Sequence, residues 1–174
     1  MRHAFHFISI VFCLSAIGQE KKTPVLKDYI SLQSGVLLPV GQFSADYQLG
    51  FSTSALYHIH CVGKGAEVQL QAGIQRFTPA GDFNFGSITA LPFKIGWQQV
   101  IDKGFYFYGR IGTLLVKDDD QNTFTGRFSL DCGLVFDLKK VGLDVGFNGW
   151  KKENNSGWSN YLNLGLIFPF RKNE

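Results

Sequence analysis

The sequence predicts an all-β protein, specifically an eight-stranded antiparallel up-and-down transmembrane β-barrel. Three observations point there. About eight segments of roughly ten residues alternate polar and apolar side chains. The connections between them alternate short and long. The apolar faces together are too bulky to fill the inside of so narrow a barrel.

The N-terminus reads as a secretory signal over Met1 to Gly18: Arg2 supplies the positive start, Phe7 to Leu14 the apolar run, and Ala16-Ile17-Gly18 the small-residue ending. That run is too short for a membrane helix, and the polar Gln19-Glu20-Lys21-Lys22 follows it directly. Cys13 lacks the preceding small residues of a lipoprotein signal. The expected division is a signal peptide at 1–18, a short periplasmic lead at 19–28, the barrel at 29–170 and a tail at 171–174. Cys61 and Cys132 remain in the mature chain, either as apolar strand residues, the reading we favour, or as a pair. A formal charge of +3 is too weak to argue for nucleic acid. No later segment is apolar enough for a transmembrane helix, so a membrane form must be a closed barrel, which satisfies every backbone group internally.

The clearest segment is Glu67 to Gln75. Val68, Leu70, Ala72 and Ile74 take one face, and Glu67, Gln69, Gln71, Gly73 and Gln75 the other, a division only a strand produces. The same sorting separates Phe128, Leu130, Cys132, Leu134, Phe136 and Leu138 from Arg127, Ser129, Asp131, Gly133 and Asp137. It recurs over Val141 to Asn148 and Tyr161 to Phe170. Tyr29 to Leu38, Gly50 to Cys61, Ile88 to Gln99 and Phe105 to Val116 are noisier but compatible.

Val62 to Gly65, Asp102 to Gly104 and Lys139-Lys140 are short enough for hairpin turns. Gly41 to Leu49, Thr78 to Gly86, Lys117 to Gly126 and Lys151 to Ser159 are longer and polar or Gly-rich. Short turns at one end and long loops at the other match an outer-membrane barrel with periplasmic termini.

Side-chain volume decides which face points outward. The apolar faces carry Phe51, Tyr57, Phe93, Trp97, Phe107, Phe128, Phe136, Phe147, Phe168 and Phe170, whereas the opposite faces mix small glycines with polar groups. A narrow lumen takes the second set, so the first faces lipid. Glu67, Lys94, Arg110, Asp131 and Asp144 fall near mid-strand on the polar face. Buried charge survives only when partnered, so these five are expected to pair and plug the lumen.

Catalytic and metal chemistry find little purchase. His58 and His60 share a face with Ser52 and Ser54, and Glu67 follows on the next segment, but any lumen-facing strand yields such alternation. A hydrogen-bonded histidine pair is the expectation, with neither catalytic residues nor a metal site and no cofactor. Asp118-Asp119-Asp120 lacks the fixed glycine and distal glutamate of a calcium loop and reads as a solvated loop. Phe43, Tyr47, Phe83, Phe85, Phe124 and Trp158 fall in the long loops, either as a surface for a ligand, a partner or lipopolysaccharide, or as part of an upper aromatic girdle.

The segment Gly35 to Ser44, the later alternating strands and the closing Tyr161-Leu162-Asn163-Leu164-Gly165-Leu166-Ile167-Phe168-Pro169-Phe170 resemble the outer membrane β-barrel domain family, the small porin-like barrels of Gram-negative bacteria. The resemblance spans roughly Tyr29 to Phe170 and implies placement in the outer membrane. It also implies that Phe168 and Phe170 form the aromatic ending read by the barrel-assembly machinery, although Arg171 to Glu174 follow them. A shared barrel does not imply a shared reaction. The expected role is structural or loop-mediated binding by a non-enzymatic monomer with a narrow, charge-plugged lumen, in contact with outer-membrane lipid and lipopolysaccharide. A small porin or transporter is the alternative, followed by a lipid A-modifying enzyme.

Overall fold

A computed structural model describes residues 28–61, 65–81, 86–118, 123–152 and 157–170. The expected signal peptide, most of the periplasmic lead, the C-terminal tail, Phe83, Phe85, Asp119 and Asp120 lie outside the described residues.

Eight strands follow one another around a closed barrel in simple sequence order. They are β1 (Tyr29–Val40), β2 (Tyr47–His60), β3 (Ala66–Pro79), β4 (Ile88–Asp102), β5 (Phe105–Asp118), β6 (Thr125–Asp137), β7 (Gly142–Lys151) and β8 (Trp158–Phe170). A one-turn helix, α1 (Phe43–Asp46), joins β1 to β2. Every neighbouring pair is antiparallel, and β1 closes on β8 from Ile30 opposite Phe170 to Val40 opposite Asn160. Closure leaves no strand edge unpaired, the condition for standing in lipid. Gly35 faces Gly165 across that seam, and a Cβ on Gly35 would collide with Asn163 and the Leu164 carbonyl.

The start of β1, the end of β8 and the strand ends joined by the β2–β3, β4–β5 and β6–β7 connections share one rim. In the tight β6–β7 turn Lys139 takes φ 76°, unusual for a residue with a Cβ, and its N–H donates to Asp137 Oδ1 at 2.8 Å.

At the opposite end the strands run further than the alternation predicted: β2 starts at Tyr47 instead of Gly50, and β3 continues to Pro79. The cause lies inside the barrel. Leu37, Phe77, Ile88, Leu114, Val116, Trp150 and Tyr161 point inward there and form an apolar core. Polar and apolar residues therefore stop alternating although the hydrogen-bonded ladder continues.

All ten large side chains assigned to the lipid face lie on the outside, from 37% exposed at Phe107 and Phe168 to 64% at Phe170. Leu70, Ile74, Ile95, Ile111, Leu164 and Leu166 join them in a continuous apolar belt, whereas Ser31, Gln33, Gln69, Lys94, Arg110, Asp131 and Asp144 are buried inside. So extensive an exposed apolar surface belongs against lipid. Aromatic contacts lie toward both ends of the belt: Trp97 with Phe107 and Phe105 with Phe136 near the turns, and Phe128 with Trp158 near the loops. Cys61 and Cys132 are free thiols.

Candidate functional site: the filled lumen

Alternation points one side chain in two from each strand into the lumen, and what fills it changes along the axis. At the loop end, α1 folds back over the mouth and inserts Phe43, which is 2% exposed. Its ring packs on Tyr47 at 5.0 Å, Phe77 at 5.1 Å and Trp150 at 4.9 Å, and Tyr161 completes the cluster 5.2 Å from Phe77. Phe43 and Tyr47 are thus neither an exposed binding surface nor part of a lipid girdle, as the sequence suggested. The helical turn of the β1–β2 connection and the start of β2 carry them into the barrel, where they bury more apolar area than at the rim. Phe124 stays exposed near Lys117, and Trp158 stands on the outside against Phe128.

Charge dominates the middle. Lys94 Nζ on β4 meets Asp131 Oδ1 on β6 at 2.5 Å, reaching past β5, and Arg110 Nε on β5 lies 3.6 Å from Asp131 Oδ2. Gly112 is the β5 residue opposite Lys94, and it adds no side chain between the two strands. The Asn148 amide, turned with its nitrogen toward Asp131, donates to both carboxylate oxygens at 2.9 and 3.1 Å. Arg110 also lies over the Tyr108 ring at 4.2 Å and donates to Gln33 Oε1 at 3.4 Å. Gln33 in turn donates to Asp144 Oδ2 at 2.6 Å, and Asn163 donates to the same oxygen. Three of the five expected charges therefore form one ion cluster, while Asp144 attaches to it through amides.

Glu67, the fifth, sits apart toward the turn end. Its Oε2 is 3.0 Å from His58 Nδ1 and accepts from the Tyr29 hydroxyl at 3.0 Å, while Oε1 lies 3.5 Å from His60 Nδ1. Tyr29 stacks flat on the His58 ring, with centroids 4.1 Å apart. The other ring nitrogen, His58 Nε2, bonds Ser31 Oγ at 2.8 Å. The sequence pointed to Ser52 and Ser54 as hydroxyls near His58, but Ser54 instead accepts from Gln71 and Ser52 turns to the Gly35 carbonyl. Ser31 was missed because its proximity comes from the β1–β2 register, which sets Ser31 opposite Leu56, two pairs from His58 opposite Tyr29 and so on the same inward face. Only its inward parity was readable beforehand.

No protein-family model matches the sequence, and no curated protein matches it. Solved structures do match in shape. Neisserial surface protein A superposes with a TM-score of 0.57 at 11% identity, over 82% of this chain and 97% of that one. The attachment invasion locus protein of Yersinia pestis, in complex with the heparin analogue sucrose octasulfate, superposes with a TM-score of 0.52 at 16% identity, with the same coverage. The chain has the fold of the small outer-membrane β-barrels.

As such a barrel, it shows the two features the fold demands: an outside of apolar side chains and a largely polar inside. Phe168 and Phe170 lie exposed near the end of its last strand, at the rim that carries the turns. At the loop rim, Thr125, Gly126, Arg127, Phe128, Lys151 and Lys152 line a shallow groove between β6 and the end of β7.

Proposed function

We propose that the protein is an integral outer-membrane barrel that conducts no solute and acts through its outer rim or by stabilising the envelope. The observation that carries this reading is the filling of the lumen through its loop end and its middle. An aromatic core closes the loop end, the Lys94–Asp131–Arg110 cluster fills the middle, and the Glu67–His58 group occupies the turn end. Eight strands leave little room beyond side chains, and these side chains close the loop end and the middle above a cavity of about 400 Å3 at the turn-end rim. The charge plug also favours this reading over a small porin or transporter, because opening a path would move buried ions away from the neighbouring-strand partners that hold them and break the Arg110–Gln33 bond that spans the lumen. Measurement in planar lipid bilayers tests it: no unit conductance is expected, and reproducible single-channel steps would refute it.

The rim groove supports a role toward the surrounding outer leaflet. Arg127, Lys151 and Lys152 are cationic and lie beside Phe128 and Trp158, where a girdle marks the membrane surface. That chemistry suits phosphate groups of lipopolysaccharide. The complex of the Yersinia pestis protein with a sulfated sugar is consistent with an anion-binding outer surface on a barrel of this shape. A closed barrel needs no partner to satisfy its backbone, so the working unit is a monomer. Phe168 and Phe170 serve as the ending recognised by the assembly machinery. Lipid A modification is disfavoured because the buried hydroxyl, imidazole and carboxylate of Ser31, His58 and Glu67 face the lumen, away from lipid.

A further inference from the structure

Ser31, His58 and Glu67 are joined in a particular order. The hydroxyl lies 2.8 Å from Nε2, and the carboxylate lies 3.0 Å from Nδ1 on the other side of the ring. In that order a carboxylate fixes the imidazole and the free ring nitrogen takes the hydroxyl proton, as acyl transfer requires. Three buried polar groups satisfying one another would share these distances. What sets this group apart is the cavity beside it. A space of about 400 Å3 opens at the turn-end rim, with Tyr29 and His58 in its lining, Tyr106 and Ile167 as apolar wall, and Asp137, Lys139 and Lys140 at its edge. Ser31 is the next inward residue of β1 beyond Tyr29, whose ring covers His58. Tyr29 is the first residue of its strand, and swinging its ring off His58, at the cost of its hydrogen bond to Glu67, would open the way from the cavity to Ser31.

We propose that Ser31 and His58 are catalytic residues, and Glu67 a positioning residue, of an ester-hydrolysing site entered from the periplasmic mouth. The site takes small carboxylic esters with an apolar portion, which the Tyr106 and Ile167 wall receives. Ser31 Oγ adds to the ester carbonyl carbon as its proton passes to His58 Nε2. The carbon–alkoxy bond then breaks, and the leaving alcohol takes that proton. Water attacks the acyl-serine, gives a proton to His58, and the proton returns to Ser31 as the carboxylic acid leaves. This goes beyond the role proposed above and against the expectation of a protein without catalysis. The sheet ladder consumes the backbone N–H groups that build an oxyanion hole elsewhere, so turnover is slow and covalent capture of Ser31 is the sensitive readout.

The full mature barrel, refolded in lipid nanodiscs, is treated with a small fluorophosphonate, and the adduct is located by peptide mass spectrometry. Modification of Ser31 is expected, without modification of Ser52 or Ser54. Tyr29→Ala should accelerate it, since the covering ring is gone. Glu67→Gln should slow it by about 100-fold, and Glu67→Asp should restore part of the rate. No adduct on Ser31 in either the native protein or Tyr29→Ala overturns the proposal, as does equal labelling of all three serines. Because the native chain is mapped directly, the result does not depend on a Ser31 variant folding. It is also independent of conductance, so failure here leaves the closed-barrel reading standing.

Discussion

Lys94 and Asp131 meet at 2.5 Å although β5 lies between their strands, so the ion pair ties β4 to β6. Both side chains are almost wholly buried. Asp131 also faces Arg110 across the β5–β6 ladder, so one carboxylate serves two cations. Their removal is therefore unequal. Asp131→Asn leaves Lys94 and Arg110 with no carboxylate in contact, whereas Lys94→Met leaves Asp131 still beside Arg110 and Asn148. Urea unfolding in lipid vesicles should show a loss of about 3–5 kcal/mol for Asp131→Asn and a clearly smaller one for Lys94→Met. Equal small losses would mean that water reaches this part of the lumen.

Phe43 belongs to a connecting segment yet is as buried as a core residue. Phe43→Ala removes the ring held by Tyr47, Phe77 and Trp150 and should cost about 3 kcal/mol. It should also expose the Gly41 to Asp46 connection to protease added outside intact cells, while the strands remain protected. The same variant should stay non-conducting in planar bilayers, because the charge cluster below is untouched. A channel opened by this single change would place the barrier in the aromatic plug alone.

Ile111 stands at mid-height on the outer face, 56% exposed and paired with Ile95 and Leu130. Phe170, at the turn-end limit of β8, is 64% exposed. If lipid covers the belt, an arginine at the two positions meets different surroundings. Ile111→Arg should cost about 2–4 kcal/mol in a bilayer, and Phe170→Arg about 0–1 kcal/mol. Equal effects in vesicle-refolded protein would argue that no hydrocarbon layer surrounds Ile111.

The strands and their facing were legible because lipid outside and polar groups inside impose period-two contrast, strongest where Glu67 to Gln75 run. That contrast vanished toward the loops, where Phe77 and Leu114 face inward as apolar residues, and there the strand ends were missed. The inward position of Glu67, Lys94, Arg110, Asp131 and Asp144 was readable from parity. Who meets whom was not, since partnership depends on register and on reach past neighbouring strands: Lys94 skips a strand, and Asp144 takes amides in place of a cation. Register likewise hid Ser31 behind the more conspicuous Ser52 and Ser54. The inward turn of Phe43 rests on the geometry of the β1–β2 connection, which carries no periodic signal.

The central claim is that this chain spans the outer membrane as a closed barrel. Membrane fractionation combined with gel migration of unheated and boiled samples tests it most directly. Recovery in the outer-membrane fraction and a shift in migration on boiling are expected, because a barrel without free edges resists detergent until heat opens it. Recovery in the soluble periplasm with no heat-dependent shift would contradict it.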